Sequence, residues 1–240
     1  TLTPALTETL ARAATLTPAR TGAALSPMTC SAGVCGKRYA NLSILWTTGR
    51  GTSLGHATTT RPTLIPAYVD MATTGFSNEI EWLTAVRIAT GWPDGTFQPS
   101  RPVARDAMAA FLYRAAGSPA FTPARQTFRD VTPVTQFYKE IEWAAARGIT
   151  RGYGDGTFRP LDPITRDAMA AFLYRAAGSP SYAPPAAASF SDVPLGTLFR
   201  TEIEWLVSRR ITTGYPDRTF RPLAEVSREA TAAFLYRRAA

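Results

Sequence analysis

Gly152-Tyr153-Gly154-Asp155-Gly156-Thr157-Phe158-Arg159-Pro160, followed after five intervening residues by Arg166-Asp167-Ala168-Met169-Ala170-Ala171-Phe172-Leu173-Tyr174-Arg175, is the stretch on which the fold turns. Turn formers crowd its first half: Asp155-Gly156 supplies a tight turn, and Phe158 is placed to plug back into a core. The second half reads as a helix with Met169, Phe172, Leu173 and Ala176 on one face. Thr165 stands at its N-cap, and Asp167 lies in the first turn, where a negative charge complements the helix dipole. Gly178-Ser179-Pro180 stops it.

Upstream, Phe137, Ile141, Ala144, Ala145 and Gly148 recur at helical spacing and mark a first helix whose apolar stripe leaves Trp143 to one side. The unit is therefore helix, ordered loop, helix. It occurs three times. The segments beginning at Phe76, Phe137 and Phe199 share Glu-Ile-Glu-Trp, then Gly-aromatic-x-Asp-x-Thr-Phe-x-Pro, then Arg-acid-Ala-x-Ala-Ala-Phe-Leu-Tyr-Arg, without a gap. Trp82, Trp143 and Trp205 are 61 and 62 residues apart. Each copy also has a leading aromatic-x-Asp-apolar element, at Tyr68 to Met71, Phe128 to Val131 and Phe190 to Val193.

A fixed period means one supersecondary unit copied and stacked. Two short helices cannot bury both apolar faces alone, so the copies must pack on one another. The expected fold is all-α in the main: three helix-loop-helix repeats over 68–119, 120–180 and 181–240, preceded by an irregular N-terminal segment, 1–67. The stretch from Tyr182 to Ser189, with Pro184-Pro185, reads as a linker between the second and third copies. Residues 1–67 hold no copy of the unit and are rich in Ala, Thr and Pro, as in a linker or the tail of an upstream domain. Leu2 to Ala14 fits a short helix there, and Ser43 to Trp46 a strand.

A chain of 240 residues with 45% apolar composition is long enough for one or two cores. The excess of 26 Lys and Arg over 18 Asp and Glu gives a formal charge of +8, nearly all of the cations being arginine. An anionic partner is expected, but charge alone does not choose among nucleic acid, membrane headgroups and acidic wall polymers. No stretch approaches the roughly 18 apolar residues that span a bilayer, so membrane insertion is not expected. The sequence opens on Thr1 without an export signal, as a processed product or a fragment would. Cys30 and Cys35 are close enough to close a small disulfide loop outside the cytosol or to remain free thiols inside it.

Phe128-Arg129-Asp130-Val131, Ile149-Thr150, Gly152 to Pro160 and Ile164-Thr165-Arg166 together resemble the S-layer homology domain, and the resemblance covers residues 68 to 240. It implies three units around a pseudo-threefold axis, with ligand grooves between neighbours. It also implies noncovalent binding of a secondary cell-wall polysaccharide, in many members through a pyruvylated amino sugar, by a secreted protein held at a bacterial cell wall. The arginine of the family's Thr-Arg-Ala-Glu motif, which contributes to ligand recognition, corresponds to Arg105, Arg166 and Arg228. The sequence departs from that motif: Ala107, Ala168 and Ala230 replace the glutamate, and an acid stands one residue earlier as Asp106, Asp167 and Glu229. The first copy has Ala104 where the second has the capping Thr165. The third has Arg218 where the second has Gly156.

An arginine beside a helix N-terminus opposes the helix dipole and calls for compensation. One source is a carboxylate-bearing sugar, on which helix-end amides and a guanidinium fork would converge. The other is an internal ion pair with acids such as Asp167 or Glu142. Trp92, Tyr153 and Tyr215 lie in the loops and are the sugar-contact candidates. Trp82, Trp143 and Trp205, like Tyr113, Tyr174 and Tyr236, are read as packing elements of the helices.

Asp94, Asp155 and Asp217 each offer one carboxylate where calcium needs several oxygen ligands, and His56 is the only histidine. Catalytic residues, metals and cofactors are therefore not expected in the repeats. Nucleic acid is not expected either, because Glu140 and Glu142 alternate with the bases and no long basic stripe forms. The anchoring reading competes with two others for the parent protein: the C-terminal targeting part of a secreted wall hydrolase or other enzyme, and a self-assembling surface-layer protein. The ending at Ala240, where the last helix should stop, suits a C-terminal anchor whose cargo lies upstream.

Overall fold

The computed structural model describes residues 68–239 and, as backbone only, four short strands ahead of them: β1 Thr29–Ser31, β2 Val34–Arg38, β3 Leu42–Thr47 and β4 Thr63–Pro66. The strands form an antiparallel sheet in the order β1-β2-β3-β4. The strand expected at Ser43 to Trp46 is part of β3. The other three strands of the sheet carry no comparable pattern, since strand formation is decided by cross-strand pairing more than by local preference. Register sets Cys30 opposite Cys35; the state of their thiols, like the helix expected over Leu2 to Ala14, lies outside the described residues.

The repeats are helical: α1 Ser77–Ala85, α2 Arg105–Ala115, α3 Tyr138–Ala146, α4 Arg166–Ala176, α5 Arg200–Ser208 and α6 Arg228–Ala239. They fall into two bodies, one of residues 100–234 and the other of the chain up to Pro99 with the end of α6 from Leu235. No helix among the described residues is long and apolar enough to cross a membrane.

Within the body of residues 100–234, the second helix of one repeat packs on the first helix of the next, α2 on α3 and α4 on α5. This exchange explains why Trp143 stands off the apolar stripe of its own helix. Its indole meets Tyr113 of α2 edge-on, with centroids 5.3 Å apart and planes at 80°, and Trp205 meets Tyr174 at 5.4 Å and 80°. In the other body Trp82 and Tyr236 repeat the contact at 5.4 Å and 81°. All three tryptophans are buried, so the packing role expected for them holds.

Three buried residues just ahead of α2, α4 and α6 close a ring of backbone hydrogen bonds. Val103 N–H donates to the Val226 carbonyl (2.9 Å), Val226 N–H to Ile164 (3.0 Å), and Ile164 N–H to Val103 (2.8 Å). Such a circuit satisfies one donor and one acceptor from each of the three segments that lead into α2, α4 and α6.

Each leading aromatic-x-Asp element fastens its own loop. The Asp130 carboxylate accepts the N–H groups of Phe158 (2.8 Å) and Arg159 (2.7 Å), and Asp192 accepts those of Phe220 and Arg221 (both 2.7 Å). In the other body Asp70 does the same for Phe97 and Gln98. Phe128 lies so close to Gly152 that a Cβ there would sit 2.5 Å from its ring, at a φ of +66° that favours glycine in any case.

The Tyr182 to Ser189 linker is docked rather than loose. Glu204 of α5 accepts Ser189 N–H (2.9 Å) and Oγ–H (2.6 Å), Tyr182 Oη–H donates to the Glu204 carbonyl (3.1 Å), and Arg200 Nη2 donates to the Pro185 carbonyl (2.6 Å).

Candidate functional site

Arg105 and Arg166 open α2 and α4, and each reaches into the loop of the following repeat. Arg105 Nε donates to the Phe158 carbonyl (2.8 Å), and Arg166 Nε to the Phe220 carbonyl (2.6 Å). The Arg105 guanidinium lies 4.8 Å from the ring centroids of Tyr153 and Phe158 and 5.5 Å from that of Phe172. Arg166 lies 4.8, 4.6 and 5.5 Å from Tyr215, Phe220 and Phe234. Residues 53 and 54 apart in sequence thus build two near-identical junctions.

The arginines are 5% and 7% exposed, yet neither forms an ion pair among the described residues. Burial pushes both pKa values down. Among the described residues, the buried side-chain polar atoms that lack a partner are Trp143 Nε1, Trp205 Nε1 and Arg200 Nε. The Nη groups of Arg105 and Arg166 are not among those fully buried atoms, and they have no protein acceptor among the described residues. Each junction therefore presents a cation without a direct ion pair on an aromatic bed, held by its Nε and with no protein acceptor on its Nη groups.

The acids that could have neutralised these arginines are committed elsewhere. Glu142 accepts Thr127 N–H (2.9 Å) and its hydroxyl (2.5 Å). Asp167 accepts Ala168 N–H (2.7 Å) and the Thr165 hydroxyl (2.5 Å). Thr165 thus occupies the N-cap position, but its hydroxyl supports Asp167 instead of capping a helix amide.

One expectation needs correction. Helix-end amides do not converge with the guanidinium on a ligand, because loop and side-chain oxygens already take them. Arg105 N–H donates to the Asp162 carbonyl, Asp106 N–H to the Pro160 carbonyl (both 3.0 Å), and Ala107 N–H to the Asp106 carboxylate (2.5 Å). In α4, Arg166, Asp167 and Ala168 repeat this with Ala224, Pro222 and the Asp167 carboxylate. The anion-binding capacity lies in the side chain alone.

Tyr153 and Tyr215 join their arginines at these junctions, and Tyr153 is 39% exposed. Arg228, also buried, opens α6 in the body of residues 100–234, whereas Trp92 turns through Gly95 N–H (3.0 Å) and the Thr96 carbonyl (2.8 Å) in the other body. Sequence reasoning missed the supporting arginines of the loops. Arg159 lies 4.0 Å over Tyr153 and pairs with Asp155 at 3.1 Å; Arg221 lies 4.0 Å over Tyr215 and pairs with Asp217 at 2.9 Å. The signal was present: Arg-Pro closes both loops, against Gln98-Pro99 in the first.

The single loop carboxylates are turn elements. Asp155 accepts Thr157 N–H (3.0 Å) and Oγ–H (2.6 Å), which together with Arg159 hold its pKa at about 2. Among the described residues no cluster of three His, Cys, Asp or Glu could hold a metal ion.

Three tandem helical repeats with arginine-aromatic junctions define a repeat-built helical module. The family model described as the S-layer homology domain matches residues 67–109, 127–170 and 189–232, and the chain belongs to that family. It is similar to a cell surface glycoprotein 1 of Acetivibrio thermocellus, 30% identical over 61% of this chain and 7% of the relative. It is also similar to a cellulosome-anchoring protein of the same organism, 28% identical over 61% of this chain and 34% of the relative. The chain thus spans well under half the length of either.

Proposed function

We propose that the repeats anchor a larger protein noncovalently at the bacterial cell surface by binding an anionic secondary cell-wall polysaccharide. Family membership and the names of the two relatives, a surface glycoprotein and an anchoring protein, support the surface location and the anchoring role. The observation that carries the ligand class is the pair of buried guanidinium groups of Arg105 and Arg166, which have no ion pair and no protein acceptor on their Nη atoms among the described residues. A buried cation is costly unless something compensates it, and a carboxylate matches the guanidinium fork.

Tyr153 and Tyr215 supply the flat apolar surface that a sugar ring needs beside its acidic group. Arg228 and Trp92 are assigned to the same class of contact from their positions in the repeat. The ligand is a peptidoglycan-associated polymer carrying acidic sugars, a pyruvylated amino sugar being the family's usual form. Several modest sites on one polymer raise the effective concentration, so anchoring does not require a tight single contact. No catalytic step is assigned to the repeats; a cargo activity would belong to another part of the parent protein.

Sedimentation with purified walls tests this. Native walls should retain the protein, and walls stripped of their accessory polymer should not. Combined Arg105→Ala, Arg166→Ala and Arg228→Ala substitution should abolish retention. Equal retention on stripped walls, or undiminished binding by the triple variant, would overturn the proposal.

A further inference from the structure

The two junctions match in nearly every contact, but one rim position differs in charge. The backbone N–H of Arg105 donates to the carbonyl of Asp162 (3.0 Å), and that of Arg166 to the carbonyl of Ala224 (2.9 Å). For Arg228 the corresponding carbonyl belongs to Arg101 (2.9 Å). A single backbone position therefore carries an acid, a neutral residue and a base in turn.

The other charged groups around the first two junctions largely cancel. Arg159 with Asp155 and Arg221 with Asp217 are equivalent, as are Asp130 and Asp192. Beyond these, the arginines ahead of the second helix include Arg129, Arg147 and Arg151 in the second repeat and Arg209, Arg210 and Arg218 in the third. Glu225, one residue beyond Ala224, is exposed and faces Thr165 across a backbone bridge. Asp130 acts on Arg105 and its counterpart Asp192 on Arg166, but the further Asp162 charge felt at Arg105 has no counterpart at Arg166.

We propose that the residue at position 162 or 224 sets the anion affinity of its junction, so that the Arg166–Tyr215 junction is the tighter site and the Arg105–Tyr153 junction the weaker. An exposed carboxylate on the rim repels an acidic sugar approaching Arg105, and alanine at the same place does not. The inference rests on the proposed binding of an anionic saccharide and grades its sites. The chain thereby carries unequal sites on nearly equal scaffolds, and the weaker one engages only when local polymer is dense.

The Nε–H signals of Arg105 and Arg166, assigned by their loss in Arg105→Lys and Arg166→Lys, report each junction separately by NMR. The full chain is titrated with a pyruvylated N-acetylhexosamine, with the unpyruvylated sugar as control. At low salt the Arg166 signal should reach half-saturation at a concentration about fivefold lower than the Arg105 signal, a gap that narrows as salt rises. Asp162→Ala should bring Arg105 to the Arg166 value, and Ala224→Asp should weaken Arg166 by a similar factor. Both positions are on the loop surface and lend the helix only a carbonyl, so the variants should keep the parent thermal midpoint. If both signals move with equal midpoints that the exchange leaves unchanged, the grading is wrong and the binding function stands. If neither signal moves with the acidic sugar, grading and function fall together.

Discussion

The Asp130 carboxylate holds the backbone N–H of Phe158 at 2.8 Å, and the carbonyl of that same residue receives the Nε–H of Arg105 at 2.8 Å. The acid that opens a repeat is thus linked through one residue to the arginine of the repeat before it. Asp192, Phe220 and Arg166 form the same chain.

Asp130→Ala should therefore destabilise the fold and loosen the Arg105 junction together. Two charge-assisted bonds to backbone amides disappear, one of them at the buried Phe158, and the cost should be about 2 kcal/mol. Asp130→Asn, which keeps one acceptor oxygen, should fall between. Urea denaturation gives the stability, and the Arg105 Nε–H signal should broaden or shift in the alanine variant only.

Acid should weaken the loops through Asp155 and Asp217. Their carboxyls sit at about 2 in the fold, held down first by the hydroxyls of Thr157 and Thr219, against roughly 3.9 in an unfolded chain. A depressed folded value means that the stabilisation is complete above pH 4 and is lost as pH falls toward 2. Asp106 acts oppositely, because burial raises its pKa and protonation relieves it. Thermal midpoints from pH 5 to pH 2 should fall in the parent and fall less in an Asp155→Asn, Asp217→Asn double variant. Equal slopes would contradict the assignment.

The repeats and their helices were legible because the copied motif and the 3.6-residue period survive in all three copies. What the sequence did not carry was the exchange of partners between repeats. Trp143 lies off the stripe of α3 because its neighbour is Tyr113, 30 residues upstream, and no local period encodes that contact. The site was legible in part for the same reason. Arg105 and Arg166 stand out as cations at a helix start, but their aromatic beds come from the following loop, and the loss of helix amides to Asp162 and Ala224 depends on backbone geometry alone. Glu142 looked like an ion-pair partner because its charge is visible and its bonds to Thr127 are not.

Arg218 occupies a left-handed turn position, with φ at +61°, where the first and second repeats use Gly95 (+80°) and Gly156 (+77°). A side chain there costs roughly 1–2 kcal/mol, of which the greater freedom of glycine in the unfolded chain returns a part. Arg218→Gly should therefore raise stability by about 0.5–1 kcal/mol, and Gly156→Ala should lower it by a similar amount. Chemical denaturation of both variants decides the point, and loss of stability in Arg218→Gly would show that the arginine side chain does more than occupy the turn.

Replacing a buried cation without an acidic partner by an apolar chain of similar length should not cost stability, and this separates binding from folding at Arg166. Arg166→Met keeps the aliphatic stem against Phe220 and Phe234, loses one bond to the Phe220 carbonyl, and removes a charge whose burial is unfavourable. Those effects oppose each other, so the unfolding free energy should stay within about 1 kcal/mol of the parent or rise. Wall retention and the response to an acidic sugar should both drop, because methionine has no donor to offer. A variant that unfolds outright would mean that the guanidinium is a structural group of the core, and one that binds as before would remove Arg166 from the ligand site.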